Sequence, residues 1–429
     1  MRGALVSDLG LSPEVWLFLS LLGCVTLFFK FSRFWSVRNL DLLLLFVLVP
    51  GMMLIALDQA NPPWSAFIWL FAGAGLWLAR CMLDLGLSRR PMLEPNLNSS
   101  GLLCLSIGIL GLLLAETVSL PVEDGAARNP AEPTGREDRV TASSTKSDAT
   151  AATVKQVIPD ALLPPSLKQQ RPQVIVSRVL AVMAHVGLVV GLLLIGWRHF
   201  EWPISGMAMA ACYLLLPYTR MAVVDSGQLI SAALIILAVF WHTRPAVTGV
   251  LIGLAAGWIP ACLGLIALWA GFYKGRGLRR FAIVASSVAL GCAVLGATIP
   301  ILADWARNLG ARSIAEVGLL PWFEPKSTGS FWVGIDTAFR LPVLIAYLAL
   351  VIVVMIWPAR KTLAELISMS AALLAASQFW YLDKGGTLVL LYLPLAILMM
   401  FRPTMSARKP LATPLQPSSS RLSVNQASS

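Results

Sequence analysis

The chain has 429 residues, of which 57% are hydrophobic and only 13% are charged, and its mean hydropathy is +0.75. Soluble globular domains carry about 25% charged residues, so this composition excludes an ordinary soluble enzyme or binding module. The net charge of +11 does not indicate nucleic-acid binding, because no basic segment is interleaved with aromatic residues. In membrane proteins, Lys and Arg gather instead in cytoplasmic loops.

Apolar runs recur along the whole chain. Their usual length of about 17–25 residues is what a helix needs to cross the hydrocarbon of a bilayer. We therefore expect an all-α, polytopic transmembrane protein with about 12–13 membrane segments. The predicted segments are 12–30, 40–58, 64–80, 101–118, 177–197, 203–219, 227–242, 246–257, 260–273, 281–303, 336–357, 362–380 and 386–402.

Two polar segments interrupt this pattern. Residues 119–174 are rich in Ala, Thr, Pro, Ser and charges of both signs, a composition that predicts a disordered linker. The linker separates an N-terminal transmembrane block, 1–118, from a C-terminal transmembrane block, 175–403. The Ser/Pro-rich tail, 404–429, is also predicted to be disordered.

Residues that commonly hold metals or act as nucleophiles are scattered. The six cysteines lie in or beside separate apolar runs, and the three histidines are isolated. This spacing predicts no disulfide framework and no metal or cofactor site. The chain also lacks the phosphate-binding, nucleophile-elbow and zinc-protease motifs of soluble enzymes.

The charge distribution predicts an orientation. More than half of the 33 lysines and arginines fall in segments that can share one side of the membrane. That side is predicted to be cytoplasmic, which places the N-terminus outside and the C-terminus inside. This requires 246–273 to cross and return as a broken hairpin, because the basic cluster 274–280 would otherwise lie outside. The alternative is one span kinked at Pro260.

Acids, amides and aromatic residues gather on the predicted outer side. Asp58 lies in a tight turn between two early spans, Asp225 and Gln228 open a later span, and a third turn holds 378–386. Carboxylates and amides hydrogen-bond sugar hydroxyls, and aromatic rings cover the apolar face of a sugar, so the combination is typical of a sugar site. The alternative is an aromatic belt with helix caps.

The order of motifs in the C-terminal block is similar to that of a known family. It consists of a Gly-Gln pair, a span, an Arg-Pro pair, a Gly/Ala/Leu-rich stretch, a proline and a basic cluster. These are Gly227-Gln228, 229–241, Arg244-Pro245, 249–256, Pro260 and 274–280. The order resembles a signature of glycosyltransferase family 87, whose members are membrane-embedded GT-C transferases that use polyprenyl-phosphate sugars. The closing pattern, Trp380-Tyr381 to Tyr392-Leu393-Pro394-Leu395, is also similar, so the resemblance covers mainly 203–402.

The resemblance implies a GT-C-like fold and an outward-facing site. A carboxylate would act there as general base on an acceptor hydroxyl, and polyprenyl phosphate would leave. The chain departs from the family where a Lys is usual, since Gly257 and Trp258 stand there. We assign Asp58 and Asp225 as candidate catalytic residues. The candidate substrate-binding residues are Arg220, Gln228, Trp258, Trp380, Asp383 and Lys384.

Three functions remain open at this point. The first is sugar transfer from a polyprenyl-phosphate-linked donor to an acceptor on the outer face of the membrane. The second is a catalytically degenerate membrane scaffold, and the third is a transporter, which would need paired broken helices and charges in mid-span. The expected partners are membrane lipids and the lipid-linked donor, with no nucleic acid, and the expected location is a bacterial inner membrane.

Overall fold

A computed structural model describes residues 13–57, 62–87, 94–119, 172–223, 225–275, 277–299, 305–307, 331–332, 335–382 and 385–403. These residues are 82% helical and contain no strand, which confirms the all-α prediction. Of the predicted linker and tail, 120–171 and 404–429 lie outside the described residues.

The helices follow one another with short connections over most of the described chain. Three 3-10 turns accompany them, at Phe31–Arg33, Asp84–Gly86 and Pro260–Cys262. The α-helices are α1 (Pro13–Phe28), α2 (Val37–Phe46), α3 (Val49–Leu57), α4 (Trp64–Leu83), α5 (Ser99–Ser119), α6 (Pro172–Arg198), α7 (Pro203–Leu215), α8 (Pro217–Met221), α9 (Ser226–Phe240), α10 (Pro245–Trp258), α11 (Leu263–Phe272), α12 (Leu278–Thr298), α13 (Thr337–Ile356), α14 (Leu363–Trp380) and α15 (Val389–Phe401).

Seven helical segments of the described chain are long and apolar enough to cross a membrane, and six further apolar helices are shorter. Each predicted membrane segment overlaps one of them, and together they indicate a multi-pass membrane protein. The short helices include the most buried one, since every residue of α15 is buried. A helix enclosed by other helices has no surface that faces lipid. By contrast, most of the surface of α12 and α13 is not covered by other helices.

Helix α10 packs lengthwise against α12 through glycines one turn apart. Without side chains, the two backbones approach closely, as small residues allow in membrane helix pairs. The facing residues advance in the same direction along both helices, so α10 and α12 run parallel. Val284 faces Gly249, Val288 faces Gly253 and Cys292 faces Gly257.

The segment between these parallel helices returns the chain to its starting level. The hydroxyl of Tyr273, just after α11, donates to the carbonyl oxygen of His242, just before α10, at 2.6 Å. The reversal follows Ile259, whose extended backbone is the conformation favoured before a proline. Residues 245–273 thus have the geometry of a hairpin rather than that of a single kinked span.

Helices α6 and α9 also run parallel and define two ends of the bundle. At one end, the hydroxyls of Ser177 and Ser226 lie 3.2 Å apart. At the other, His199 Nε2 lies 2.9 Å from the carbonyl oxygen of Phe240. We name these the Asp225 end and the histidine end.

Candidate functional site

Asp225 and Gln228 form a local pair at the Asp225 end. Asp225 is the N-cap of α9, and its carboxylate accepts from the backbone N–H of Gln228 at 3.4 Å. The Gln228 side chain donates to the second carboxylate oxygen at 2.9 Å. An aspartate at this position satisfies an otherwise unpaired helix N–H and is stabilised by the helix dipole. The sequence Asp-Ser-Gly-Gln therefore fixes both the start of α9 and the direction of the carboxylate.

The other polar atom of the Gln228 side chain has no partner in the described part of the chain. Its carbonyl oxygen Oε1 is buried without a hydrogen bond among the described residues, and Gln228 is only 4% exposed. A buried acceptor without a partner costs about 1–3 kcal/mol. A bound hydroxyl or water that donates to Oε1 would recover that energy, which is why the pair is a candidate ligand site.

Arg220, on the short helix α8, is held by a carboxylate. Its Nε lies 3.0 Å and 3.2 Å from the two carboxylate oxygens of Glu116 on α5. Its guanidinium also stacks 4.9 Å from the centre of the Trp16 ring. Glu116 is 7% exposed, so the pair is shielded from solvent and Arg220 is fixed in direction. The predicted substrate-binding role of Arg220 would require a ligand to share it with Glu116.

A second arginine joins the same helix ends. Arg178, buried on α6, donates to the carbonyl oxygen of Val118 at 2.7 Å. The Ser177–Ser226 contact ties α6 to the start of α9. These contacts place two carboxylates, two guanidiniums and one amide at the same end of the bundle, on or beside α5, α6, α8 and α9. We call this the polar cluster: Glu116, Arg178, Arg220, Asp225 and Gln228.

The remaining predicted site residues lie elsewhere or outside the described chain. Trp380 is 2% exposed, its ring lies 5.2 Å from that of Tyr347, and its carbonyl accepts from Arg340 Nε at 2.9 Å. It is a core residue, not an open aromatic face. Trp258 is half-buried at the end of α10. Within the described part of the chain, neither indole N–H has a hydrogen-bond partner. Asp58, Asp383 and Lys384 lie outside the described residues.

A charged network at the histidine end was not singled out from the sequence. Asp84 pairs with Arg80 at 3.2 Å, with Arg402, and with the Ser368 hydroxyl at 2.6 Å. Arg80 also donates to Asp41 at 2.7 Å. The sequence gives one signal for this network, which is the helical spacing of Arg80 and Asp84 near the end of a span. Arg402 and Ser368 are distant in the chain, so no local pattern links them to Asp84.

The charges of this network compensate one another. Burial, reinforced by the charge of Arg80, lowers the pKa of Arg402 to about 10, so it stays cationic at neutral pH beside Asp84. Because the two carboxylates and two guanidiniums bind one another, little uncompensated charge is left to bind a ligand. The network therefore holds helices together rather than forming an open site.

No cluster of three or more metal-ligating side chains occurs in the described ranges. No family model matches the chain, and neither a curated protein nor a solved structure is similar to it. The resemblance to glycosyltransferase family 87 therefore stays a prediction.

Proposed function

We propose that the protein is an integral membrane glycosyltransferase that moves a sugar from a polyprenyl-phosphate donor to an acceptor hydroxyl at the Asp225 end. The observation that carries the proposal is the Asp225–Gln228 pair. It combines a half-buried, oriented carboxylate with an amide oxygen that has no partner among the described residues. A carboxylate within reach of an acceptor hydroxyl can take its proton as general base.

The chemistry requires one bond to form and one to break. The acceptor oxygen attacks the anomeric carbon of the donor while its proton passes to Asp225, and the bond to polyprenyl phosphate breaks. Gln228 Oε1 would accept a hydrogen bond from a sugar hydroxyl. Arg220 and Arg178 would offset the charge of the leaving phosphate, since one guanidinium group can donate two parallel hydrogen bonds to phosphate oxygens.

The orientation and the GT-C-like fold belong to the same proposal. We place the Asp225 end outside and the histidine end in the cytoplasm of a bacterial inner membrane, with the N-terminus outside and the C-terminus inside. The support is the gathering of basic side chains at the histidine end, as is usual for cytoplasmic surfaces. They include Arg38, Arg80, Arg198, Arg244, Lys361 and Arg402.

A catalytically degenerate scaffold is the second candidate, and specific contacts favour it. Asp225 already has a structural task as an N-cap, and Arg220 is already neutralised by Glu116. The glycines of 249–257 are explained by packing on α12, so that part of the resemblance needs no catalytic reason. A scaffold would keep these contacts and bind no donor.

The substitution Asp225→Asn separates the two candidates. Asparagine caps helices as well as aspartate does but cannot act as a base. We expect sugar transfer to fall by about 10²–10⁴-fold while the thermal unfolding midpoint stays unchanged. The assay uses the full chain in lipid nanodiscs with polyprenyl-phosphate mannose and polyprenyl-phosphate glucose. Glycans from cells with and without the protein identify the acceptor fraction.

The matched control is Asp336→Asn, the same exchange at the N-cap of α13, where Asp336 accepts from the N–H of Ala338 at 2.9 Å. It should retain full transfer. An unchanged glycan pool in cells lacking the protein, together with no transfer by the wild type in nanodiscs, would sink the transferase proposal and leave the scaffold.

A further inference from the structure

An open cleft lies at the histidine end, away from the polar cluster. It has a volume of 330 Å³ and is lined by Arg198, Phe240, Trp241, Thr243 and Arg244. Arg198 is the last residue of α6, and Arg244 immediately precedes α10. Two guanidiniums from separate helices therefore flank one opening. This arrangement differs from that of Arg80 and Arg402, whose charges are buried against carboxylates.

No carboxylate in the described part of the chain neutralises the two arginines of the cleft. Neither forms an ion pair there, and Arg244 instead stacks 4.8 Å from the ring centre of Trp241. Glu201 follows Arg198 by three positions but does not line the cleft. The cleft thus carries an excess of positive charge that an anion would offset.

His199 and His242 are neighbours in sequence of the lining residues but do not line the cleft themselves. His242 Nδ1 lies 3.0 Å from the carbonyl oxygen of Val239, and the rings of His199 and His242 lie 4.7 Å apart. Burial, reinforced by the neighbouring His199, lowers the pKa of His242 to about 4. His242 is therefore neutral near pH 7, and the arginines supply the charge.

The position of the cleft at the ends of apolar helices predicts that it lies at the level of lipid headgroups. Its lining residues lie at the C-terminal ends of the apolar helices α6 and α9 and in the turn before α10. Trp197, beside Arg198, is 63% exposed. Exposed tryptophans at helix ends lie at the level of the headgroups in membrane proteins. A phosphate in the cleft would therefore be at the height where phospholipids present theirs.

We propose that this cleft binds the phosphate of an anionic phospholipid from the adjoining leaflet. Arg198 and Arg244 contact the phosphate oxygens from two sides, and the Thr243 hydroxyl donates a third hydrogen bond. The Trp241 ring packs against the glycerol end of the acyl chains. A lipid held there bridges the end of α6 and the start of α10. The site is independent of the proposed transfer reaction, which is placed at the other end of the bundle.

The test compares two double variants that remove equal charge from the same end of the protein. Arg198→Gln with Arg244→Gln empties the cleft of cations, and Arg279→Gln with Arg280→Gln is the control, since both of its positions are exposed outside the cleft. Binding of phosphatidylglycerol to the full chain is measured by native mass spectrometry and by fluorescent-lipid titration in neutral detergent. We expect the cleft variant to bind about tenfold more weakly or worse and the control to stay within about twofold of the wild type.

Three outcomes would overturn the proposal. Equal weakening in both double variants would show a diffuse surface charge rather than a site. Binding of phosphatidylcholine as tight as that of phosphatidylglycerol would show that the cleft does not require a lipid with a net negative charge. Displacement of the lipid by equimolar glycerol 3-phosphate would show that a soluble phosphate, not a membrane lipid, is the ligand. Thermal unfolding of both variants checks that they remain folded.

Discussion

Asp84 and Arg402 are 318 positions apart in the chain and form a buried ion pair. Asp84 follows α4 and Arg402 follows α15, so the pair joins the last helix of the described chain to an early one. Arg80 and Ser368 bind the same carboxylate. A single aspartate therefore holds the N-terminal block against α14 and α15, which form the centre of the bundle.

We expect Asp84→Asn to destabilise the protein by about 3–5 kcal/mol, because it leaves Arg402 buried beside a neutral amide, while Arg80 keeps its pairing with Asp41. The measurement is the free energy of unfolding in mixed detergent micelles. Ser368→Ala is the control: it removes one neutral donor to the same carboxylate and should cost only about 1 kcal/mol. Equal costs for the two variants would mean that the charges of the network contribute nothing.

The packing of α10 on α12 predicts opposite effects for two Gly→Ala exchanges. A β-carbon at Gly253 would lie 2.7 Å from the carbonyl oxygen of Ala285, whereas one at Gly291 would have nothing within 4 Å. Gly253→Ala should therefore cost about 1–3 kcal/mol through overpacking. Gly291→Ala should be neutral or stabilise by up to about 1 kcal/mol, because alanine favours helix. Thermal unfolding of both variants in one detergent gives the comparison, and a stabilised Gly253→Ala would contradict the close approach.

The helices could be predicted from the sequence because each rests on local features. The apolar runs mark the spans, and prolines at the first position of α7, α8 and α10 set their starts. The distribution of basic residues between the two sides, including the cluster 274–280, also predicted the return of 246–273. Local patterns could not show that α15 is enclosed, since an apolar helix has the same composition whether lipid or protein surrounds it.

The candidate site was predictable only in part for the same reason. Asp225 and Gln228 are three positions apart, so their pairing follows from helix-capping rules. Glu116 and Arg220 meet across 104 positions, and no periodicity brings such residues together. Trp380 was predicted to bind a sugar. Aromatic residues occur both in sugar-binding sites and in protein cores, and the sequence alone does not distinguish the two. Its contacts with Tyr347 and Arg340 place it in the core.

The Glu116–Arg220 pair predicts a rescue by charge neutralisation. Arg220→Gln alone should destabilise by about 3–5 kcal/mol, because a shielded carboxylate loses its partner. Adding Glu116→Gln removes that carboxylate charge and should recover most of the loss, leaving a neutral amide pair. A double-variant cycle of unfolding free energies measures the coupling. Additive effects in the cycle would show that the two side chains act independently.

His242, in the turn after α9, predicts that the folded protein becomes less stable in acid. Its pKa is about 4 in the folded protein, lowered from 6.5 by burial and by His199. Between these values the unfolded chain binds more protons than the folded chain, so stability falls as pH falls from about 6.5 to about 4 and levels off below that.

The substitution His242→Gln tests this prediction. It removes the titrating group, while an amide N–H can still donate to the Val239 carbonyl. Unfolding midpoints measured from pH 7.5 to 5 should drop less in the variant than in the wild type. Both chains carry the same carboxylates, so their common titration cancels in the difference. Parallel curves over this interval would show that His242 is already protonated, or freely exposed, in the folded protein.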